Sequence, residues 1–328
     1  PFAALPQHQD PTSGYLFNAN NALVGADYPY ALAQYWPAPY RAQRIAQLLA
    51  ESGRQALADH QAMQLDIYSP AAKDWLEVLI PRVAHPDETT QAALNMLGEW
   101  DYRMDRRRPE PLLFAAWTRR VTQAILADEL GPLWADYMRL LFRPATLLRL
   151  IETDSRDCDD RESADVLEDC PTVITQALSV TLASLRSEYG PDLAKWRWGD
   201  AHRAPLPHPL WSQVPLLKHW LDQAIATPGG RHTLNRGKFV PWDERQPFAH
   251  THGSGIRAIF ALADLSNSRF ALAGGQSGQP FSPHYADLLK GWQAGRYIRI
   301  NAQTASPEIG RWVFSPRRAD QASMAEHE

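Results

Sequence analysis

The chain has 328 residues, 45% of them hydrophobic and 21% charged, which is the balance of an ordinary globular protein of one large domain or two. A formal net charge of −4 argues against a nucleic-acid-binding protein, whose footprint needs clustered basic residues. No stretch approaches the roughly 18 apolar residues that cross a bilayer, so no membrane span is expected.

The chain opens on Pro1 rather than methionine, so the expectation is a processed product or a piece of a longer chain. Residues 14–21, "GYLFNANN", read as a short strand ending at Asn18, Asn20 and Asn21. Asparagine there has two readings. It can form the turn that ends the strand, or it can hold a neutral carboxamide donor where a carbonyl oxygen gains charge, as an oxyanion hole requires.

Residues 39–190 have helical periodicity. "PAPYRAQRIAQLLAESG" opens on proline, places Ile45, Leu48 and Leu49 on one face and stops at Gly53. "TTQAALNMLGEWD", "EPLLFAAWTRRVTQAILADELG" and "CPTVITQALSVTLASLRSEYG" repeat the pattern, the last with an apolar stripe of Ile174, Leu178, Leu182 and Leu185. These stripes read as core. Between the last two helices lie both cysteines, Cys158 and Cys170, in an acidic run. A short-loop disulfide of an oxidising compartment is the favoured reading, because a polar loop is a poor place to bury a thiol. Two reduced cysteines are the alternative, and a metal pair lacks any third Cys or His nearby in sequence.

From 191 to 316 the chain becomes rich in strand signals. "GIRAIFALADLSNSRFALAGGQSG" alternates at Ile256, Ala258, Phe260 and Leu262, turns at Ser-Asn-Ser and returns through Phe270 and Leu272, predicting a hairpin. "GRYIRINA" and "GRWVF" read as further short strands, and residues 317–328 as a loose tail. With 1–38 as a strand and asparagine segment, strands flank a long helical excursion, and the fold class is α+β.

Three local motifs invite chemistry and carry little of it. "GGQSGQ" is similar to the Gly-x-Ser-x-Gly elbow around Ser277. However, the fifth position is Gln279, and "PFSPHYAD" intervenes before any helix. His250 and His252 share a face if extended, yet no third ligand stands at useful spacing, and His202 and His208 sit in a proline-rich loop. The secondary amine of Pro1 has no supporting neighbours in "PFAALPQHQDPT".

Taken as a series, "GYLFNANN", "YPYALAQYWPAPYRAQRIAQLL", "GEWDYRM", "KWRWGDAH", "TPGGRHTLNRG", "GSGIRAIFALAD" and "GGQSGQPFSPHYADLLKGWQAGRY" resemble the penicillin acylase family of N-terminal-nucleophile hydrolases, across nearly the whole chain. The resemblance implies an αββα sandwich with a large helical insertion, of which this chain is the C-terminal part of the catalytic β subunit. It implies that Asn20 donates its side-chain N–H to the oxyanion and that Arg41 organises the site. Asn18 and Asn21 would fix the turn, and Arg44 would be a structural ion-pair partner. The nucleophile it implies is an N-terminal serine, using its own α-amino group as base. That serine would lie some two hundred residues before the asparagine motif, so this chain alone is expected to be inert. The implied partners are the missing N-terminal part of the β subunit, the α subunit and a small acylated amide substrate.

No cofactor is implied for the chemistry. A structural calcium is, although the nearest carboxylates, Asp10 and Asp27, map onto no ligand set. Family members are typically periplasmic or secreted. The cysteine pair and the "NANN" form resemble the branch acting on acyl-homoserine lactones and lipopeptides such as aculeacin more than the penicillin G enzymes. Two competing readings stay open: a non-catalytic scaffold or binding fragment of the same fold, and a metal-dependent hydrolase built on His250 and His252.

Overall fold

The computed structural model describes residues 2–51, 53–140, 143–161, 163, 167–300 and 313. Pro1, the tail at 317–328 and, save Val313, the strand expected at 310–314 lie outside the described residues. Residues 40–189 carry α1 (Tyr40–Glu51), α2 (Leu57–Gln64), α3 (Pro70–Leu79), α4 (Glu88–Gly98), α5 (Glu110–Leu130), α6 (Trp134–Leu140), α7 (Pro144–Glu152) and α8 (Cys170–Tyr189). Their starts follow from capping side chains. Ser69 accepts from the Ala72 N–H ahead of α3, Asp87 from Thr90 ahead of α4, and Asp169 from Thr172 ahead of α8. Each bond satisfies an amide that the helix leaves without a partner. The two longest helices, α5 and α8, stop where Gly131 and Gly190 adopt φ of 48° and 92°.

α5 and α8 pack side by side. Trp117 of α5 is fully buried and donates its indole N–H to the Ile174 carbonyl of α8 at 3.2 Å. The stripe of Ile174, Leu178, Leu182 and Leu185 is buried in one core with residues of α3, α4, α5 and α7. Each such side chain contributes about 1.5–3 kcal/mol by leaving water. Cys158, just past α7, is joined in a disulfide to Cys170, the first residue of α8, with 5.0 Å between their Cα atoms. Both sit in that core, fully buried. The bridge clamps α7 to α8, and neither cysteine is free.

Beyond α8 come α9 (Trp198–Ala201), β1 (Arg203–Leu206), α10 (Pro215–Leu221), β2 (Gln223–Ala226), β3 (Gly237–Lys238), β4 (His252–Gly253), β5 (Ile256–Ile259), β6 (Arg269–Leu272), α11 (Leu289–Gln293) and β7 (Ile298–Arg299). They pair antiparallel as β1–β2, β3–β4 and β5–β6–β7. The expected hairpin forms, with Ile256 opposite Leu272 and Ala258 opposite Phe270.

Its facing differs from the simplest expectation for an apolar row. The covered side carries Arg257, Ile259 and Ala271, all buried, above Trp292 of α11. Arg257 is accommodated because it donates to the Trp292 carbonyl at 2.9 Å and to Asn235 Oδ1 at 2.8 Å. Ile256 lies on the opposite, open side, and β5 ends at Ile259, so Phe260 and Leu262 fall in the following loop, highly exposed. Alternation marks a face; it does not say which face is covered.

The strand expected at "GYLFNANN" is not formed. Residues 15–18 have no regular secondary structure and pair with no neighbouring strand among the described residues, and Leu16 is 62% exposed. A strand needs a partner to supply its ladder of hydrogen bonds, and the described residues offer none.

Candidate active site

Three asparagines shape one turn. Asn18 Oδ1 accepts from the Asn20 backbone N–H at 2.8 Å, and Asn21 Oδ1 accepts from the Ala19 N–H at 3.2 Å. Asn21 also donates to the Ala22 carbonyl at 2.9 Å. These bonds hold Asn20 at φ 62°, a left-handed conformation that asparagine tolerates better than most residues.

Arg41 then fixes the Asn20 side chain. Its Nη2 donates to the Ala19 carbonyl at 2.7 Å and to Asn20 Oδ1 at 2.9 Å. A guanidinium can only donate, so the amide must turn its oxygen toward Arg41. The Asn20 Nδ2 is left as an exposed donor with no acceptor among the described residues.

The first turn of α1 is itself pinned. Tyr40 packs edge-on against His232 at 5.2 Å between ring centres. One turn on, Arg44 pairs with Asp66 at 2.6 Å and lies over the Tyr68 ring. Asp66 in turn receives Tyr68 N–H on its carboxylate and Asn235 N–H on its carbonyl. Arg44 is thus a structural partner of the loop before α3, and Arg41 is the residue that reaches the asparagine turn.

The electrostatics around Arg41 are cationic. Burial and the nearby Arg236 lower its pKa from the ordinary arginine value. His232 is pushed down to about 3, first by burial and then by Arg231, Arg236 and Arg41, so it is neutral at physiological pH. The sequence motif "TPGGRHTLNRG" holds these residues, but its spacing does not reveal that they face α1; the Tyr40–His232 contact does that.

The remaining candidates are placed elsewhere. His250 is buried, accepting from or donating to Thr227 Oγ1 at 2.9 Å, while His252 is exposed, so they do not converge on one ion. His250 stacks on His202, which stacks on Trp198, and burial lowers their pKa values to about 4 and about 3. His208 accepts backbone N–H groups of Leu210 and Trp211 on Nδ1. Ser277 Oγ accepts from the Gln279 N–H within a glycine turn. The nearest downstream histidine, His284, pairs instead with Asp287 at 2.8 Å. No group of three or more His, Cys, Asp or Glu assembles a metal site among the described residues, so Asp10 and Asp27 do not by themselves fit a calcium ion. No helix among the described residues is long and apolar enough to cross a membrane.

An α+β chain that holds a carboxamide rigidly beside an arginine suits the stabilisation of developing negative charge. Comparison with known proteins agrees in class. The Penicillin amidase family model matches residues 1–307, and the chain belongs to that family. It is 27% identical over 330 residues to the acyl-homoserine lactone acylase QuiP of Pseudomonas syringae pv. syringae (strain B728a), covering 93% of this chain and 39% of that protein. It is 29% identical over 310 residues to the penicillin acylase 2 proenzyme of Pseudomonas sp. (strain SE83), covering 89% of this chain and 37% of the other. The chain therefore spans about two fifths of the length of these curated relatives. Among solved structures, a thermostable penicillin G acylase from Alcaligenes faecalis superposes with a TM-score of 0.60 at 19% identity, over 97% of this chain and 60% of the other. The fold is accordingly α+β and shared with the matched part of that acylase.

Proposed function

We propose that this chain is part of an amidohydrolase that removes an acyl group from a small acylated amide, with Asn20 Nδ2 as a donor to the oxyanion and Arg41 as the residue that orients it. The observation that carries this reading is the Arg41–Asn20 bond, because it fixes the amide flip and leaves Nδ2 as the outward donor. A donor held before reaction costs nothing to reorganise as charge develops, and one is worth roughly 3–4 kcal/mol in the transition state. Asn18 and Asn21 support it by holding the turn.

The reading requires a nucleophile from outside this chain: a serine at the N-terminus of the other part of a β subunit, with an α subunit completing the site. This chain alone is then inactive. The buried disulfide supports a periplasmic or secreted location, since such bonds persist in oxidising compartments. The relatives' names point to acyl-homoserine lactones or penicillins as the substrate class.

The test is Asn20→Gly in the full-length protein. Glycine accepts φ 62° without strain and deletes only the amide. We expect kcat to fall about 100- to 1000-fold with the thermal unfolding midpoint unchanged. Turnover within a few-fold of the parent removes Asn20 from the oxyanion role and favours a binding scaffold of the same fold.

A further inference from the structure

Arg41 has a second environment. Besides holding Asn20, it lines a cavity of about 230 Å³ whose other charged groups are Arg139, Arg231, Arg236 and Lys238. Its remaining walls are Tyr35, Pro37, Ala38, Met138, Pro144 and the neutral His232, and among the described residues no carboxylate lines it.

Among the described residues, four of the cations lack counter-charges. Arg139 is paired with Asp136 at the surface. Arg41, Arg231, Arg236 and Lys238 form no ion pair with a carboxylate among the described residues. Arg231 donates to the Phe239 carbonyl at 2.9 Å and lies over the Trp242 ring, contacts that position it without neutralising it. Arg236 Nε is buried with no hydrogen-bond partner. Lys238 is placed by the short β3–β4 ladder, opposite His252. All four are partly buried.

Gathering like charges out of water is unfavourable twice over, through lost hydration and through mutual repulsion. The directions of their titration agree, since burial and neighbouring arginines lower the pKa values of Arg41, Arg231 and Lys238. An anion entering the cavity relieves both penalties and gives the buried Arg236 N–H an acceptor. Guanidinium groups are suited to it, because their planar fork matches a carboxylate or an oxyanion of phosphorus or sulfur.

We propose that Arg231, Arg236 and Lys238, with Arg41, form an anion subsite beside Asn20 that takes the carboxylate of the acylated ligand. The proposal deepens the amidohydrolase reading and rests on it for the position of the scissile amide. Its consequence is selectivity: ligands carrying a carboxylate near the amide bind better than neutral esters or lactones of the same size. An organic acid is favoured over a free inorganic anion because Met138, Pro144 and Tyr35 wall the cavity. A second, apolar cavity of about 100 Å³, lined by Trp75, Phe114, Trp134 and Phe239, shares Arg231 and His232 with it.

The experiment measures binding and not turnover, so it does not depend on Asn20. N-(hexylsulfonyl)glycine carries a sulfonamide that acyl transfer does not cleave. It and its methyl ester are titrated by calorimetry into the full-length protein at fixed ionic strength, with inorganic sulfate as a third probe. The expected result is the acid binding at least ~10-fold tighter than the ester, a single charge-assisted contact being worth about that much. The advantage should shrink to within about threefold in Arg236→Gln and Lys238→Gln, with ester affinity unchanged. Arg231 is left intact because it also holds Phe239.

Equal binding of acid and ester overturns the subsite, and means that residues outside this chain neutralise the cations. Sulfate binding as tightly as the acid overturns the organic ligand and assigns the cavity to an inorganic anion. An acid preference that survives both substitutions moves the subsite away from this cavity. The wild-type comparison stands even if a variant fails to fold. Loss of turnover in Asn20→Gly with the acid preference intact upholds both readings; unchanged turnover with that preference intact sinks the Asn20 role alone.

Discussion

The helical block and the strand-rich part of this molecule are finished to different degrees. In the first, α3, α4, α5, α7 and α8 bury their apolar stripes against one another and against a buried disulfide. In the second, the three-stranded sheet covers one face with α11 and leaves Ile256 and Ile298 open, with Phe260 and Leu262 exposed beyond the strand. The residues before the asparagine turn likewise expose Leu16 and Phe17. A sheet in an αββα sandwich has helices on one face and a second sheet on the other. The open apolar face of this sheet carries no covering layer among the described residues. The helical block is therefore a platform closed on itself, and the strand-rich part is left open on one face.

Trp117→Ala tests the platform most severely. The side chain is fully buried and bridges α5 to α8, so its loss should cost about 3–5 kcal/mol by denaturant unfolding. A cost below about 1 kcal/mol means that the helical block is not one core. Next comes the disulfide. Replacing Cys158 and Cys170 by alanine frees a loop spanning 12 residues and should destabilise by about 3 kcal/mol. Because both sulfurs are buried in the core, reductant should act slowly on the folded protein and rapidly on the unfolded one.

The junction between the two regions sharpens the comparison through pH. His202 and His250 stack between Trp198 and the strand segments, and burial holds them neutral with pKa values near 3 and near 4. Unfolded, each regains roughly 6.5. Between those values the unfolded chain binds more protons, so stability falls as pH falls. Each histidine contributes at most about 1.4 kcal/mol per pH unit. His232, also held near 3, adds a third such group, so stability should drop by roughly 3–4 kcal/mol from pH 6 to pH 5, and a His250→Gln variant should lose about a third of that slope. A flat profile across this interval shows that these rings are protonated in the folded protein.

The helices and their ends were legible because their causes are local. Gly131 and Gly190 stop α5 and α8 directly after the stripes they bound, whereas α3 behind its Ser69 cap was not read. The bonds of Asn18 and Asn21 each span two residues, whereas Arg44 reaches Asp66, 22 residues on, a partner the sequence did not name. The cationic cavity was not. Arg41 and Lys238 are separated by nearly two hundred residues, and nothing in "TPGGRHTLNRG" says that its basic residues turn toward α1. The asparagine segment was misread as a strand because propensity speaks for a conformation and pairing decides the structure. The open face of β5 was hidden for a related reason, since Arg257 found partners inside and the apolar row was left outside.

The smallest effect on this chain is the most informative about that open side. Phe260→Ser and Leu262→Ser replace exposed side chains, so each should change the stability of the 328-residue chain by less than about 0.5 kcal/mol. In the full-length protein the same changes should cost about 1.5–3 kcal/mol each if a second sheet covers them, the difference being the transfer of one large apolar side chain out of water. The contrast, more than either value, measures whether the strand region is an interface. If both forms are equally indifferent, the exposed row faces solvent throughout and the sandwich closes on other residues. If the 328-residue chain itself loses 2 kcal/mol or more, these side chains are already packed in it and the platform extends further than the helices.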